Sequence, residues 1–408
     1  MDHALTLVPL LLQIAVILSV CRLLHELCER IGQPPVIGEI IAGLLLGPSL
    51  FGWLAPNLFA RLFPPASLPA LNALSQIGLV LFMFLVGLHL DLGEVWSLRR
   101  VAGLAGLLSI AVPFAAGFAL ARPLHSLAPS APMLPFSLFV AVAMSITAFP
   151  VLARILADHK LSATPLGHVA VACAAFNDAA AWALLAWIVA VSRSAESSLA
   201  EPILIIVIYS AAMWFLVRPL LRFVPNELAT MLIFVFLSSW VTELAGLHAL
   251  FGAFFAGVIW PRGSVKFEEV SAKIEPIAMA VLIPLFFSYT GLRTNIGAVN
   301  WTYTIIIVAV AVVAKIGGAF TGARIMGFDS KNAFSLGCLL NTRGLVELVV
   351  LNVGLDLGIL TPELFSMMVV MALVTTLMTS PALRALRTNA SFPIQPQFPS
   401  TPHDGVSK

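Results

Sequence analysis

Charge is what this chain has least of. Asp, Glu, Lys and Arg together make up 10% of its 408 residues, against about a quarter in an ordinary soluble domain. Hydrophobic residues make up 60%, and the mean hydropathy is +1.01. A domain solvated on all sides is excluded, and the composition is that of an all-α polytopic membrane protein. The formal net charge of +2 is spread thinly over short loops, so no basic patch suits nucleic acid. Cysteine is scarce as well: Cys21, Cys28, Cys173 and Cys338 fall in or beside apolar runs with no pair at metal-ligand spacing. They read as small core residues without a disulfide. The N-terminus has neither a basic leader nor a small-residue cleavage site before Cys21-Arg22, so the first apolar run is a spanning helix rather than a removable signal. The groups of an intramembrane enzyme are missing too. His25-Glu26-Leu27-Cys28-Glu29 departs from H-E-x-x-H at its last position, and no Gly-x-Gly-Asp occurs, so no enzyme activity and no cofactor is implied.

What is present is a series of runs long enough to cross about 30 Å of hydrocarbon. Charged or Pro/Gly-rich breaks give thirteen segments, near 4–28, 34–50, 70–90, 99–121, 135–157, 164–191, 200–221, 228–246, 247–261, 273–292, 301–324, 332–357 and 362–383. The shallowest break, Gly246-Leu247-His248, separates the eighth from the ninth. Positive charge favours the cytoplasmic side. With the N-terminus outside, thirteen crossings place sixteen of the twenty-two basic residues inside and four outside, leaving Lys315 and Arg343 within spans. Merging the two weak segments scrambles that alternation. Residues 1–387 then form one transmembrane domain with a cytoplasmic C-terminus. Residues 388–408 are a short, disordered Pro/Ser tail, and the setting is a bacterial inner membrane.

Four ionisable residues belong to the middle of this apolar chain. Asp178, preceded by Asn177, lies halfway along the sixth segment, Lys315 lies inside the eleventh, and Arg343 and Glu347 lie inside the twelfth. A carboxylate at that depth costs several kcal/mol unless it meets water, a counter-charge or a cation, and by default marks an ion or proton site. The fifth and twelfth segments share a defect. Thr147-Ala148-Phe149-Pro150 sets a proline mid-span, and Asn341-Thr342-Arg343-Gly344 sets polar side chains and a glycine at matching depth. Seven segments apart, the two run in opposite directions, which points to an inverted-repeat transporter with broken helices around its substrate site. Segments 1 to 6 (about 4–191) and 8 to 13 (about 228–383) are the repeats, and segment 7 (200–221) connects them.

Each of these residues also has a plainer reading. Pro150 or Gly344 alone can kink an ordinary helix. Arg343 and Glu347, four apart, can satisfy each other. Lys315 is too deep for its stem to reach either surface. Glu39 and Glu243 lie near segment ends and suit the interface, and His89, His125, His159, His168 and His248 scatter through loops and ends. Asn177-Asp178 is the hardest to dismiss as packing.

Four motifs carry a resemblance across segments 2 to 13. They are Pro35-Val36-Ile37-Gly38-Glu39-Ile40-Ile41-Ala42-Gly43 with Gly47-Pro48-Ser49, Ala148-Phe149-Pro150-Val151-Leu152-Ala153-Arg154, Phe176-Asn177-Asp178, and Asn341-Thr342-Arg343-Gly344-Leu345-Val346-Glu347-Leu348. Together they resemble the monovalent cation:proton antiporters of the sodium/hydrogen exchanger type, above all the branch of plant cation/proton exchangers and bacterial potassium-efflux antiporters. The resemblance implies a homodimer in the lipid bilayer, two broken helices that cross, and a six-helix core that moves like an elevator. It matches Asp178 to the cation- and proton-binding aspartate, Thr147 to the threonine at the crossing, Lys315 to the core lysine, and Arg343 with Glu347 to the polar pair of the second broken helix. Asn177 stands where electrogenic members carry a second aspartate, which removes the usual partner of Lys315. No G-x-G-x-x-G domain follows the last segment, so regulation by such a domain is not expected from this polypeptide.

The expected mechanism is exclusive occupancy of one site. Deprotonated Asp178, the Asn177 amide oxygen, Thr147 and freed backbone carbonyls offer oxygen ligands to an alkali cation, K+ or Na+, and a proton competes for the same carboxylate. Exchange is obligatory when the empty charged site cannot cross the barrier, and one proton for one monovalent cation moves no net charge. A cation channel is the alternative, but it calls for a continuous lined pore instead of opposed broken helices around one acid.

Overall fold

The computed structural model describes residues 2–89, 99–162, 164–193, 200–224, 227–261 and 272–386, and these are helical throughout apart from short connections. The tail from 388, and Arg262, Lys266, Arg387 and Lys408 of the charge count, lie outside the described residues. Each of the thirteen expected segments coincides with a helix or a pair of half-helices. In chain order they are α1 (Asp2–Arg30), α2 (Pro35–Leu46), α3 (Leu68–His89), α4 (Arg99–Leu124), the half-helices α5 (Met133–Ser145) and α6 (Phe149–Asp158), α7 (Pro165–Arg193) and α8 (Ala200–Ala211). Then follow α9 (Leu228–Leu244), α10 (Ala249–Ile259), α11 (Ile283–Leu292), α12 (Trp301–Ile325), the half-helices α13 (Ser330–Leu340) and α14 (Leu345–Asp356), and α15 (Pro362–Leu377). Nine helical stretches among the described residues are long and apolar enough to cross a membrane.

The shallow break between the eighth and ninth segments is a real turn. Gly246 has φ +77° and His248 φ 137°, a region that side chains other than glycine rarely enter. The His248 ring accepts from the Leu250 N–H at 3.3 Å and so caps α10. Large apolar side chains stand exposed on α1 (Leu7, Leu11, Leu12), on α9 (Ile233, Trp240) and on α12 (Ile305, Val313). Acyl chains would cover these surfaces, since a lipid-facing helix gains nothing from a polar exterior.

Packing sorts the helices into two groups. α4 lies along α12, α5 and α7 lie on α4, and α13 and α15 lie on α12, so six segments surround the two breaks. The second group pairs α1 with α2, α2 with α11, and α3 with α10 and α11. Ion pairs join the groups at opposite ends. Arg154 of α6 meets Glu29 of α1 at 2.8 Å, and Arg293, just past α11, meets Asp356 of α14 at 2.6 Å. Pairs as exposed as these contribute roughly 0.2–1 kcal/mol each, too little to lock the groups together.

Inside the second group, α2 and α11 touch backbone to backbone. A Cβ at Gly43 would run into Ser288 O and Gly291 Cα, and one at Gly291 would run into Gly43. Small residues allow this approach where no hydrophobic force drives helices together. Gly43→Val should therefore lower the apparent melting temperature in detergent through an overpacking cost of about 1–3 kcal/mol. A melt identical to that of the wild type would show that the two helices do not lie in backbone contact.

Candidate functional site

The first break spans Ile146–Ala148. α5 stops at Ser145, Ala148 is extended at φ −87° and ψ 100°, and Pro150 falls in the first turn of α6. Its missing N–H costs nothing in the first turn, but its ring forbids a helical residue before it from continuing the upstream helix. The second break spans Asn341–Gly344, and α14 starts at Leu345. The two breaks cross in contact. The Ala148 N–H donates to Thr342 O at 3.0 Å, and Thr147 Oγ1 donates to Leu340 O at 2.8 Å. Gly344 makes the approach possible, because a Cβ there would press on the Val151 and Ala148 side chains. Thr376 of α15 clamps the second break, accepting from the Arg343 N–H at 2.9 Å and donating to Arg343 O at 2.8 Å.

A helix that ends inside a membrane presents free carbonyls and the negative end of its dipole where no water can solvate them. At α5 two buried cations answer that need. Arg343 reaches back from the second break, Nη1 to Ala143 O and Nη2 to Met144 O, each at 2.6 Å. Lys315 Nζ donates to Ser145 O and, at 2.9 Å, to Ser109 O of α4. Lys315 is 0% exposed and Arg343 1%. Arg343 Nη1 also lies 3.4 Å from Glu347 Oε1, an ion pair without hydrogen-bond geometry. The i,i+4 pair expected from sequence therefore exists, yet the guanidinium spends its fork on backbone carbonyls.

Asp178 is 2% exposed, and neither carboxylate oxygen makes a hydrogen bond among the described residues. Its electrostatic neighbours are the Phe149 backbone N–H, at the positive end of α6, and Lys315. Asn177 beside it is tied up. Its amide lies 3.0 Å from both Ser109 Oγ and Thr147 Oγ1. Turned so that nitrogen meets Gly106 O at 3.2 Å and Cys173 O at 3.1 Å, its oxygen accepts from both hydroxyls. Either orientation links α7 to α4 and to the crossing. Asn341, 1% exposed at the second break, has no hydrogen-bond partner for either end of its amide among the described residues.

The crossing thus gathers Asp178, Asn177, Thr147, Lys315, Arg343, Glu347 and Gly344, with Pro150 in the first turn of α6. Sequence reading passed over Ser109 and Thr376, which bond to the gathered residues. Hydroxyls commonly bond back to their own helix in apolar spans, so neither stands out by residue type. Glu39, read as interfacial, lies half-buried in the wall of a cavity of about 600 Å³ that α1, α2, α3 and α11 form with α6.

With this geometry in place, the comparisons with known proteins are specific. A family profile described as "Sodium/hydrogen exchanger, transmembrane" matches residues 15–386. The chain is 42% identical over 395 residues to the Na(+)/H(+) antiporter NhaS4 of Synechocystis, covering 92% of this chain and 96% of that one. It is 36% identical to the K(+)/H(+) antiporter 1 of Saccharomyces cerevisiae over 98% of its own length, but spans only 47% of the yeast protein. In three dimensions it resembles the sodium proton antiporter MjNhaP1 from Methanocaldococcus jannaschii with a TM-score of 0.65 at 14% identity, covering 95% of this chain and 98% of that one.

If Arg343 holds the end of α5, its loss orphans two carbonyls and leaves Glu347 alone. Arg343→Ala should then cost about 3–5 kcal/mol of stability. Arg343→Lys should recover only part of it, since one ammonium cannot span two carbonyls as a fork does. Thermal unfolding of the purified variants measures this, and a wild-type melt for Arg343→Ala would contradict the capping role.

Proposed function

The chain belongs to the sodium/hydrogen exchanger family, and we propose that it exchanges a monovalent cation, Na+ or K+, for protons at one carboxylate, Asp178. The observation that carries this reading is the contrast at the crossing. The fixed charges Arg343 and Lys315 are engaged with backbone carbonyls, whereas both Asp178 oxygens are buried without a hydrogen bond. A bare carboxylate in a dry site is costly and a protonated or cation-paired one is far less so, so the site favours being occupied by one or the other. The Phe149 N–H at the head of α6 lies beside the carboxylate, at the positive end of that half-helix's dipole.

Ligands for a dehydrated alkali ion come from Asp178 with oxygens of the crossing, among them Thr147 Oγ1 and the Asn177 amide, once their mutual hydrogen bonds rearrange. Lys315 supplies a compensating positive charge from its carbonyl perch, and Arg343 with Glu347 fixes the second break. Alternating access is the displacement of the six-segment group around the crossing past the remaining helices, in the manner of an elevator. The two partly exposed ion pairs between the groups are weak enough to break on each cycle. The domain plan is two inverted repeats, about 4–191 and 228–383, joined by 200–221. The N-terminus lies outside a bacterial inner membrane, and the working unit is a homodimer.

Lys315 bears on stoichiometry. Its Nζ donates to two backbone oxygens, and we assign it no part in the exchange of protons. Asn177 carries no proton to exchange. One carboxylate then trades one proton for one monovalent cation, and exchange is electroneutral. Reconstitution in liposomes with a pH-sensitive dye tests the reading. The wild type should move protons when Na+ or K+ is added, and Asp178→Asn, of nearly equal size, should elute normally from a sizing column yet lose exchange entirely. Cation-dependent proton movement by the folded Asp178→Asn protein would place the site elsewhere.

A further inference from the structure

We propose that Glu39 is a second cation station, where a partly hydrated alkali ion waits in the cavity before passing to Asp178. The inference rests on the reading of Asp178 given above and adds the access route to it. Glu39 stands on α2 in the wall of the 600 Å³ cavity, among Val36, Phe82, Ile283 and Phe287. Its carboxylate makes no hydrogen bond or ion pair among the described residues. The bases that share the cavity are already matched. Arg22 pairs with Glu26 at 3.0 Å, His25 with Glu29 at 3.4 Å, and Arg154 with Glu29 at 2.8 Å and with Asp158 at 3.2 Å. Glu39 is the acid left over, and among the described residues the only one on the cavity wall.

Position supplies the second half of the case. Val151 and Arg154 of α6 line the same cavity, and Phe149, whose N–H faces Asp178, lies two residues before Val151 on that helix. At ~1.5 Å rise per residue, the inner end of the cavity is within about one helical turn of the exchange site. The wall changes owner along the way: Glu39 belongs to the α1–α2–α11 group, and α6 belongs to the group around the crossing. A carboxylate in a mostly apolar passage, backed by neutralised bases, lowers the cost of drawing a cation out of water before its last ligands are met. A group placed there for packing would be cheaper without a charge.

Glu39→Gln keeps the size of the side chain and removes the charge. In liposomes with the cation applied from the side to which the cavity opens, the KM for the cation should rise about tenfold, a change of ~1.4 kcal/mol, while the loss in maximal rate stays small. Applied from the other side, the same cation should show no such rise. Glu39→Asp, which restores the charge on a shorter arm, should recover most of the KM. A wild-type KM from the cavity side in Glu39→Gln, or a loss confined to maximal rate, overturns the proposal. A second measurement needs no variant: dicyclohexylcarbodiimide should convert the Glu39 carboxyl of the wild type to an N-acylurea detectable by peptide mass spectrometry, and Na+ or K+ should slow this labelling. Labelling at Glu39 that cation leaves unchanged also overturns it. Failure here is distinguishable from failure of the Asp178 reading, because an inactive Asp178→Asn beside a wild-type KM in Glu39→Gln removes the waiting station alone, and an active Asp178→Asn removes the exchange site.

Discussion

Two helices that stop in the middle of a membrane leave backbone groups that lipid cannot satisfy, and most of this fold's polar chemistry answers that single debt of solvation. At α5 the three terminal carbonyls Ala143, Met144 and Ser145 are taken by Arg343 and Lys315. At α13 the Thr147 and Thr379 hydroxyls reach Leu340 O and Cys338 O. The inner ends of α5 and α13 are thereby capped by groups from outside those helices, so the crossing depends on α4, α12 and α15 staying packed around it. This couples transport chemistry to the integrity of the core, and explains why charges that are so costly in lipid are retained here.

The same arrangement divides labour among ionisable groups of similar depth. Arg343 Nη1 and Nη2 and Lys315 Nζ each donate to backbone carbonyls, so under the proposed function their charge is scaffold. Asp178 accepts no hydrogen bond among the described residues, so under the proposed function its charge is the negotiable one. A proton or a cation can settle it. A site made only of well-bonded groups would hold the fold equally well and have nothing to exchange. The two broken helices supply half-helix ends of both signs to one small volume: carbonyl ends for the fixed cations, and an N–H end for the carboxylate.

Much of this was legible in the sequence. Pro150 and Gly344 pointed to the breaks because proline cannot continue a helix and a glycine suits a close crossing, and the helices are interrupted at Ile146–Ala148 and at Asn341–Gly344. The thin break at Gly246–His248 was legible through charge alternation instead of hydropathy, and its backbone is a turn. What the sequence withheld was mostly the acceptors. Lys315 has Ser109 O and Ser145 O for partners, and backbone carbonyls carry no residue-type signal; a lysine in an apolar run therefore suggests a carboxylate partner by default. Asn177 looked like a cation ligand and is held by Ser109 and Thr147 in this conformation. Ser109 itself is one hydroxyl among many. Glu39 was placed at an interface from its distance along the chain, whereas only the fold shows that a cavity lined by α6, α2 and α11 lies behind it.

The claim at the centre is that one carboxylate holds either a proton or a cation and never both. Proton release on cation binding tests it without any membrane: the purified protein in weakly buffered detergent is titrated with Na+ and with K+, and bound cation and liberated H+ are counted together at the pH where Asp178 is protonated. One proton released for each cation bound, absent in Asp178→Asn, is the predicted result. Cation binding with no proton released, or with two, would contradict the account, the first by separating the two sites and the second by bringing Lys315 into the exchange.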